Sequence, residues 1–99
     1  IIAIYLNKII NIHPSLLPLY GGKGMYGLHV HQKVFEDKAT ETGITVHFVN
    51  EMYDKGAIIF QAKCPLPTKM SPMLIQKKVH KLEKKFFPRI IENLLDGQN

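Results

Sequence analysis

The chain is predicted to fold as an α/β domain in which one apolar strand and an antiparallel hairpin pack with helices. Three observations lead there. Ile9 and Ile10 begin a β-branched run that stops at Pro14, which reads as a buried strand over residues 9–13. Residues 44–50 alternate, with Ile44, Val46 and Phe48 on one face and Thr45, His47 and Val49 on the other; a second strand at 57–64 follows a short loop. Between Ser71 and Leu95, apolar residues recur at three- and four-residue steps, the period of an amphipathic helix.

Taken in order, residues 1–8 (IIAIYLNK) read first as the end of a helix turning at Asn7-Lys8, with a strand the close alternative, because so short an apolar run has no diagnostic period. Strand 9–13 is apolar enough to be a central parallel strand. Pro14 to Gly27 is a long connection rich in glycine; its GGKGMYG matches neither phosphate-loop pattern and reads as turns. Residues 25–37 are predicted as a helix with Leu28, His31, Val34 and Phe35 near one face. His29 and His31 diverge on such a helix, with no carboxylate or cysteine at ligand spacing, so they are read as packing or surface residues. Pro65 and Pro67 end the second hairpin strand, and Ser71-Pro72 starts the last helix as cap and first residue. Its apolar stripe runs Leu74 (or Ile75), Val79, Leu82, Phe86, Ile90 and Leu94. Its polar side carries Lys77, Lys78, Lys81, Lys84 and Lys85, and Pro88 is a candidate kink.

Ninety-nine residues, 45% of them hydrophobic, allow one small domain. The net charge of +5 suits anionic partners without choosing among them. The lysine face lacks interleaved aromatic residues and is read as solvated, so no nucleic-acid partner is expected. No apolar run reaches the roughly 18 residues of a membrane span, and one cysteine fits a reducing compartment, so a cytoplasmic protein is expected. Cys64 has no base near it in sequence and is read as inert.

The chemistry concentrates in Asn11-Ile12-His13-Pro14. Two residues apart on extended chain, Asn11 and His13 point the same way at a strand's carboxyl end. An amide can bind a carbonyl oxygen and an imidazole can exchange a proton, although the same pair also caps turns. A second polar group, Thr45 and His47 with Asp54 in the returning loop, belongs to the hairpin.

The string NIHPSLLP, the following GGKGMYGLHVH and the later GITVHFVNEMYDKGAIIFQAKCP, with its His-x6-Asp, closely resemble the folate-dependent formyltransferases. The likeness is greatest to members acting on glycinamide ribonucleotide in purine synthesis, and it persists to about Leu95. It implies that residues 1–99 are a single partial domain, the catalytic C-terminal half of a Rossmann-like formyltransferase fold. The N-terminal half would carry the Gly-rich phosphate loop, and a start at Ile1 fits such a fragment. By resemblance, Asn11, His13 and Asp54 fall on the catalytic positions. Thr45 and His47 fall at the cleft, Glu83 on a glutamate that contacts the glycinamide substrate, and Asn50, Glu51, Met52, Tyr53 and Asp54 on the loop facing the pteridine. The co-substrate implied is 10-formyltetrahydrofolate, with no metal.

Read locally, Asp54 is also a turn residue, His47 also a core histidine and Glu83 also one charge on a lysine-rich helix. Three other functions compete: formyltetrahydrofolate hydrolase, methionyl-tRNA formyltransferase and a truncated non-catalytic remnant. NIHPSLLP rather than a hydrolase-like NIHHSFLP argues against the first, and a tRNA enzyme would continue into a further basic domain. A fragment lacking its neighbouring strands is expected to expose the edge of strand 9–13 and self-associate through it.

Overall fold

The structure is a computed structural model and describes residues 2–5, 8–49, 58–67 and 70–96. Strands β1 (Ile2–Tyr5), β2 (Lys8–His13), β3 (Glu41–Phe48) and β4 (Ile58–Pro65) form one sheet in the order β1-β2-β3-β4. Helices α1 (Leu28–Glu36) and α2 (Pro72–Asp96) complete the α/β arrangement. The opening residues are corrected from the helix end read first to its alternative, a strand, since Ile2–Tyr5 pair along β2. The β3–β4 pair is antiparallel as expected, with Ile44 opposite Ala62 and Thr45 opposite Gln61.

The direction of the first predicted strand is corrected. β2 runs antiparallel to both neighbours, Ile10 lying opposite Ala3 on one side and Phe48 on the other. A run of β-branched residues reports that a strand is buried, not which way its neighbours run. β1 pairs with β2 from Lys8 to Asn11, so the edge expected to be open over residues 9–13 is covered that far, while Ile12 and His13 pair with β3 alone; among the described residues the outer strands are β1 and β4.

Residues opposite one another in an antiparallel pair share a face. One face of the sheet therefore carries Ile10, Ile12, Ile44, Val46 and Ala62, which are buried with Val34 of α1 and with Ile75, Val79 and Ile90 of α2. Each isoleucine or valine among them contributes roughly 1.5–3 kcal/mol by leaving water. α2 begins as read from sequence: Ser71 Oγ accepts the Leu74 N–H at 3.3 Å. Its stripe starts at Ile75, since Leu74 is 51% exposed, and the helix continues through Pro88. Lys77, Lys81, Lys84 and Lys85 face solvent, whereas Lys78 donates to the Pro65 carbonyl at 3.1 Å.

α1 departs from its predicted start and inner face. Gly27 has φ 57°, a left-handed value that no helix can include, so the helix opens at Leu28 rather than residue 25. Val30, His31 and Val34 are buried, while Leu28 and Phe35 remain 41% and 44% exposed. The chain before it folds back on the sheet: Leu17–Pro18 is a cis peptide, and Leu16 lies over Gly43 of β3. A Cβ at Gly43 would fall on the Ala62 carbonyl oxygen and within 2.8 Å of Leu16 Cδ2.

Two predictions follow from this packing. Gly43→Ala must push both Leu16 and the β4 backbone aside, and urea unfolding should show a loss of about 1–3 kcal/mol. Burial, with the charges of His80 and His13 adding, lowers the His31 pKa from 6.5 to about 4. The unfolded chain thus binds more protons between those two values. His31 stabilises the fold fully above about pH 6.5, and that contribution, about 2–3 kcal/mol, is lost as pH falls towards 4. His31→Gln should flatten the decline measured between pH 7 and 4.5; equal slopes in the two proteins would point to another group.

Candidate active site

Strand register brings four polar side chains to the face of the sheet opposite the core. Asn11 lies across from His47 and His13 across from Thr45. His13, Thr45 and His47 are buried, so each needs a partner to offset its lost hydration. His47 Nδ1–H donates to the Phe48 carbonyl at 3.1 Å, which leaves Nε2 to accept a long 3.5 Å contact from the Asn11 amide nitrogen. That contact turns the Asn11 NH2 group towards His47. The amide carries two hydrogens, so it remains a donor in a second direction. His13 Nε2–H donates to the Tyr20 carbonyl at 2.7 Å.

Thr45 holds the loop that follows β2. Its hydroxyl donates to the Ser15 carbonyl at 2.7 Å and accepts the Leu17 N–H at 2.9 Å. Gln61 Nε2 reaches both Thr45 Oγ1 and the Leu17 carbonyl, each at 2.9 Å. The Ser15 hydroxyl adds a 2.6 Å bond to the Leu19 carbonyl. The backbone polar groups of a buried turn are thereby satisfied from the sheet.

Beyond the carboxyl end of β2 lies a cavity of about 520 Å³. Asn11, His13 and Pro14 form one wall, the glycine-rich residues 22–27 a second, and His31 of α1 with Gln76, His80 and Glu83 of α2 the rest. Positions 76, 80 and 83 stand at i, i+4 and i+7, one face of a helix. Burial raises the Glu83 pKa, and the neighbouring His80 opposes that rise. His31 Nδ1 is buried without a hydrogen-bond partner among the described residues. A buried nitrogen left so costs about 1–3 kcal/mol.

The cavity therefore brings together Asn11, His13 and Glu83 of the residues singled out from sequence. Thr45 and His47 sit behind it, not on its lining; the first fastens a loop and the second touches Asn11. Asn50, Glu51, Met52, Tyr53 and Asp54 lie outside the described residues. Gln76, His80 and His31 were not singled out for the site from sequence. The i, i+4, i+7 spacing of the α2 polar residues was the available signal, and the lysines around them masked it. Among the described residues, no three His, Cys, Asp or Glu side chains converge to hold a metal.

Known proteins resemble this chain in both sequence and fold. The family described as "Formyl transferase" matches residues 1–91. Phosphoribosylglycinamide formyltransferase of Arabidopsis thaliana (chloroplastic) is 43% identical over 84 residues, covering 85% of this chain and 29% of the relative. The Haemophilus influenzae phosphoribosylglycinamide formyltransferase is 39% identical over 94 residues, covering 95% and 42%. Among solved structures, that of the Bacillus halodurans phosphoribosylglycinamide formyltransferase superposes with a TM-score of 0.79 at 29% identity, over 91% of this chain and 44% of the other. The chain thus spans less than half the length of these relatives. With the family matched over nearly all its residues and the fold reproduced, the chain belongs to the formyl transferase family.

Proposed function

We propose that this chain carries the catalytic part of an enzyme that moves a formyl group from 10-formyltetrahydrofolate to the amine of glycinamide ribonucleotide. It would act as the C-terminal half of a longer formyltransferase domain in the cytoplasm. The observation that carries the reading is the shared placement of Asn11, His13 and Glu83 on one cavity in a chain of this family. Formyl transfer is acyl transfer: the acceptor nitrogen bonds to the formyl carbon, the bond to the folate nitrogen breaks, and one proton passes from the first nitrogen to the second. That needs a donor at the formyl oxygen and a path for the proton.

Asn11 donates its free-facing N–H to the oxygen as charge develops there. His13, fixed by the Tyr20 carbonyl, stabilises the same oxygen and passes a proton. Asp54 keeps His13 cationic and takes the amine proton, directly or through water. Glu83 receives the acceptor amine, and the Asn50–Asp54 backbone borders the pteridine. His47 keeps the Asn11 amide turned, and Thr45 keeps the loop beside it in register, so both support the cleft from behind. Positioning of this kind matters because errors near 1 Å cost about 10²-fold in rate.

Two measurements on the enzyme with its N-terminal half test this reading. Asp54→Asn should lower kcat by at least ~10² with little change in KM; full activity in that variant would sink the assignment. Consumption of formyl-folate should require glycinamide ribonucleotide. Steady formate release without that acceptor would instead identify a hydrolase, which could use the same three residues with water as acceptor.

A further inference from the structure

We infer that Tyr20 and Asp37 form a latch that sets which nitrogen of His13 carries its permanent proton, making Tyr20 a positioning residue for the reaction. The inference rests on the formyl-transfer reading for its catalytic consequence, but not for its geometry. A carbonyl oxygen only accepts, so the 2.7 Å contact from His13 Nε2 to the Tyr20 oxygen fixes Nε2 as protonated. The proton that comes and goes on His13 is then the one on Nδ1. A ring nitrogen's role is set in this way by the bond made at the other nitrogen.

The acceptor itself has to be held. Tyr20 has φ 56°, a left-handed backbone that is rare for a residue with a side chain and persists only where its surroundings over-determine it. Up to Leu19 the loop is tied down by its own bonds: Leu19 N–H to the Leu16 carbonyl at 3.0 Å, and Ser15 Oγ–H to the Leu19 carbonyl at 2.6 Å. Tyr20 is the next residue, and after it come the glycines. What fixes Tyr20 is its side chain, half-buried against the core, with its hydroxyl donating to Asp37 Oδ2 at 2.7 Å.

Asp37 is well placed to serve. It caps the carboxyl end of α1, and its own N–H bonds the Lys33 carbonyl at 2.9 Å. The carboxylate is thus anchored to a helix that also presents His31 to the cavity. Burial, then the bond to Asp37, raises the Tyr20 pKa to about 12, so the phenol keeps its proton and remains a donor throughout the working range of pH. The chain of contacts runs from helix end to carboxylate, phenol, backbone carbonyl and imidazole.

The experiment is long-range 1H–15N spectroscopy of the histidine rings in the full-length protein, joined to steady-state kinetics. Wild type should show His13 as a single Nε2–H tautomer when neutral. Tyr20→Phe keeps the ring and removes only the hydroxyl; Asp37→Ala removes the acceptor from an exposed position. Both should give averaged tautomer signals and a kcat lowered roughly 3- to 10-fold, with KM for either substrate within about twofold. Asp37→Asn retains an oxygen acceptor and should restore both readouts. A folded Tyr20→Phe protein with the wild-type tautomer pattern would overturn the latch, as would a kinetic defect in it that Asp37→Ala does not share. Absence of formyl transfer in the wild type, with the tautomer shifts as expected, would refute the enzymatic reading and leave the latch standing.

Discussion

Thr45 has one hydrogen and two lone pairs on its side-chain oxygen, and the fold uses all three. The hydrogen goes to the Ser15 carbonyl, one lone pair to the Leu17 N–H and the other to Gln61. This oxygen is wholly buried, so a missing partner would leave a desolvated polar group. The three bonds set where the chain goes on leaving β2, and everything downstream inherits that direction. Leu16 lies over Gly43 because the turn is held against β3, and the Tyr20 carbonyl faces His13 because the turn ends where it does. A valine of equal shape would pack there and lose the turn.

The cavity beyond that turn mixes groups that disfavour one another's charge. His31 is kept neutral by burial and by the nearby imidazoles of His80 and His13. Glu83 is pushed towards its protonated form by burial, while His80 pulls it back. Such opposed pressures leave protonation states responsive to whatever enters, since a cationic amine beside Glu83 tips the carboxyl towards ionisation. Lys77, Lys81, Lys84 and Lys85 of α2 point away to solvent, and none of its lysines lines the cavity. The net positive charge of the chain and the local balance inside the cavity are therefore separate matters.

Much of this was legible in the sequence where period carries the message. The alternation of Ile44 to Phe48, the Ser71-Pro72 helix start and the spacing through Ile75, Val79 and Ile90 each follow from one element's own geometry. The common face of Asn11 and His13 was readable for the same reason. Other features were not local. Two of the three partners of Thr45 are backbone atoms 28 and 30 residues away, and no composition announces a carbonyl. β2 reads as buried, but its antiparallel neighbours depend on chain reversal at both ends. Leu28 and Phe35 looked inward by type alone, whereas the left-handed Gly27 moved the helix start and Val30 took the inner face. His80 and Gln76 were hidden among lysines that share their helix but not their face.

α2 serves the core and the cavity with interleaved residues: Ile75 and Val79 inward, Gln76, His80 and Glu83 towards the cavity. Each residue of a helix is turned about 100° from the last. An insertion or deletion of one residue between Val79 and Glu83 would swing Glu83 from the cavity rim by that angle, or else turn the apolar stripe out of the core. The helix consequently has no neutral length variants in this stretch. The glycine-bearing segment from Gly21 to Gly27 is under no such rule, for it borders the cavity without any repeating register. Divergence in length has an outlet there, and it opens directly onto the site.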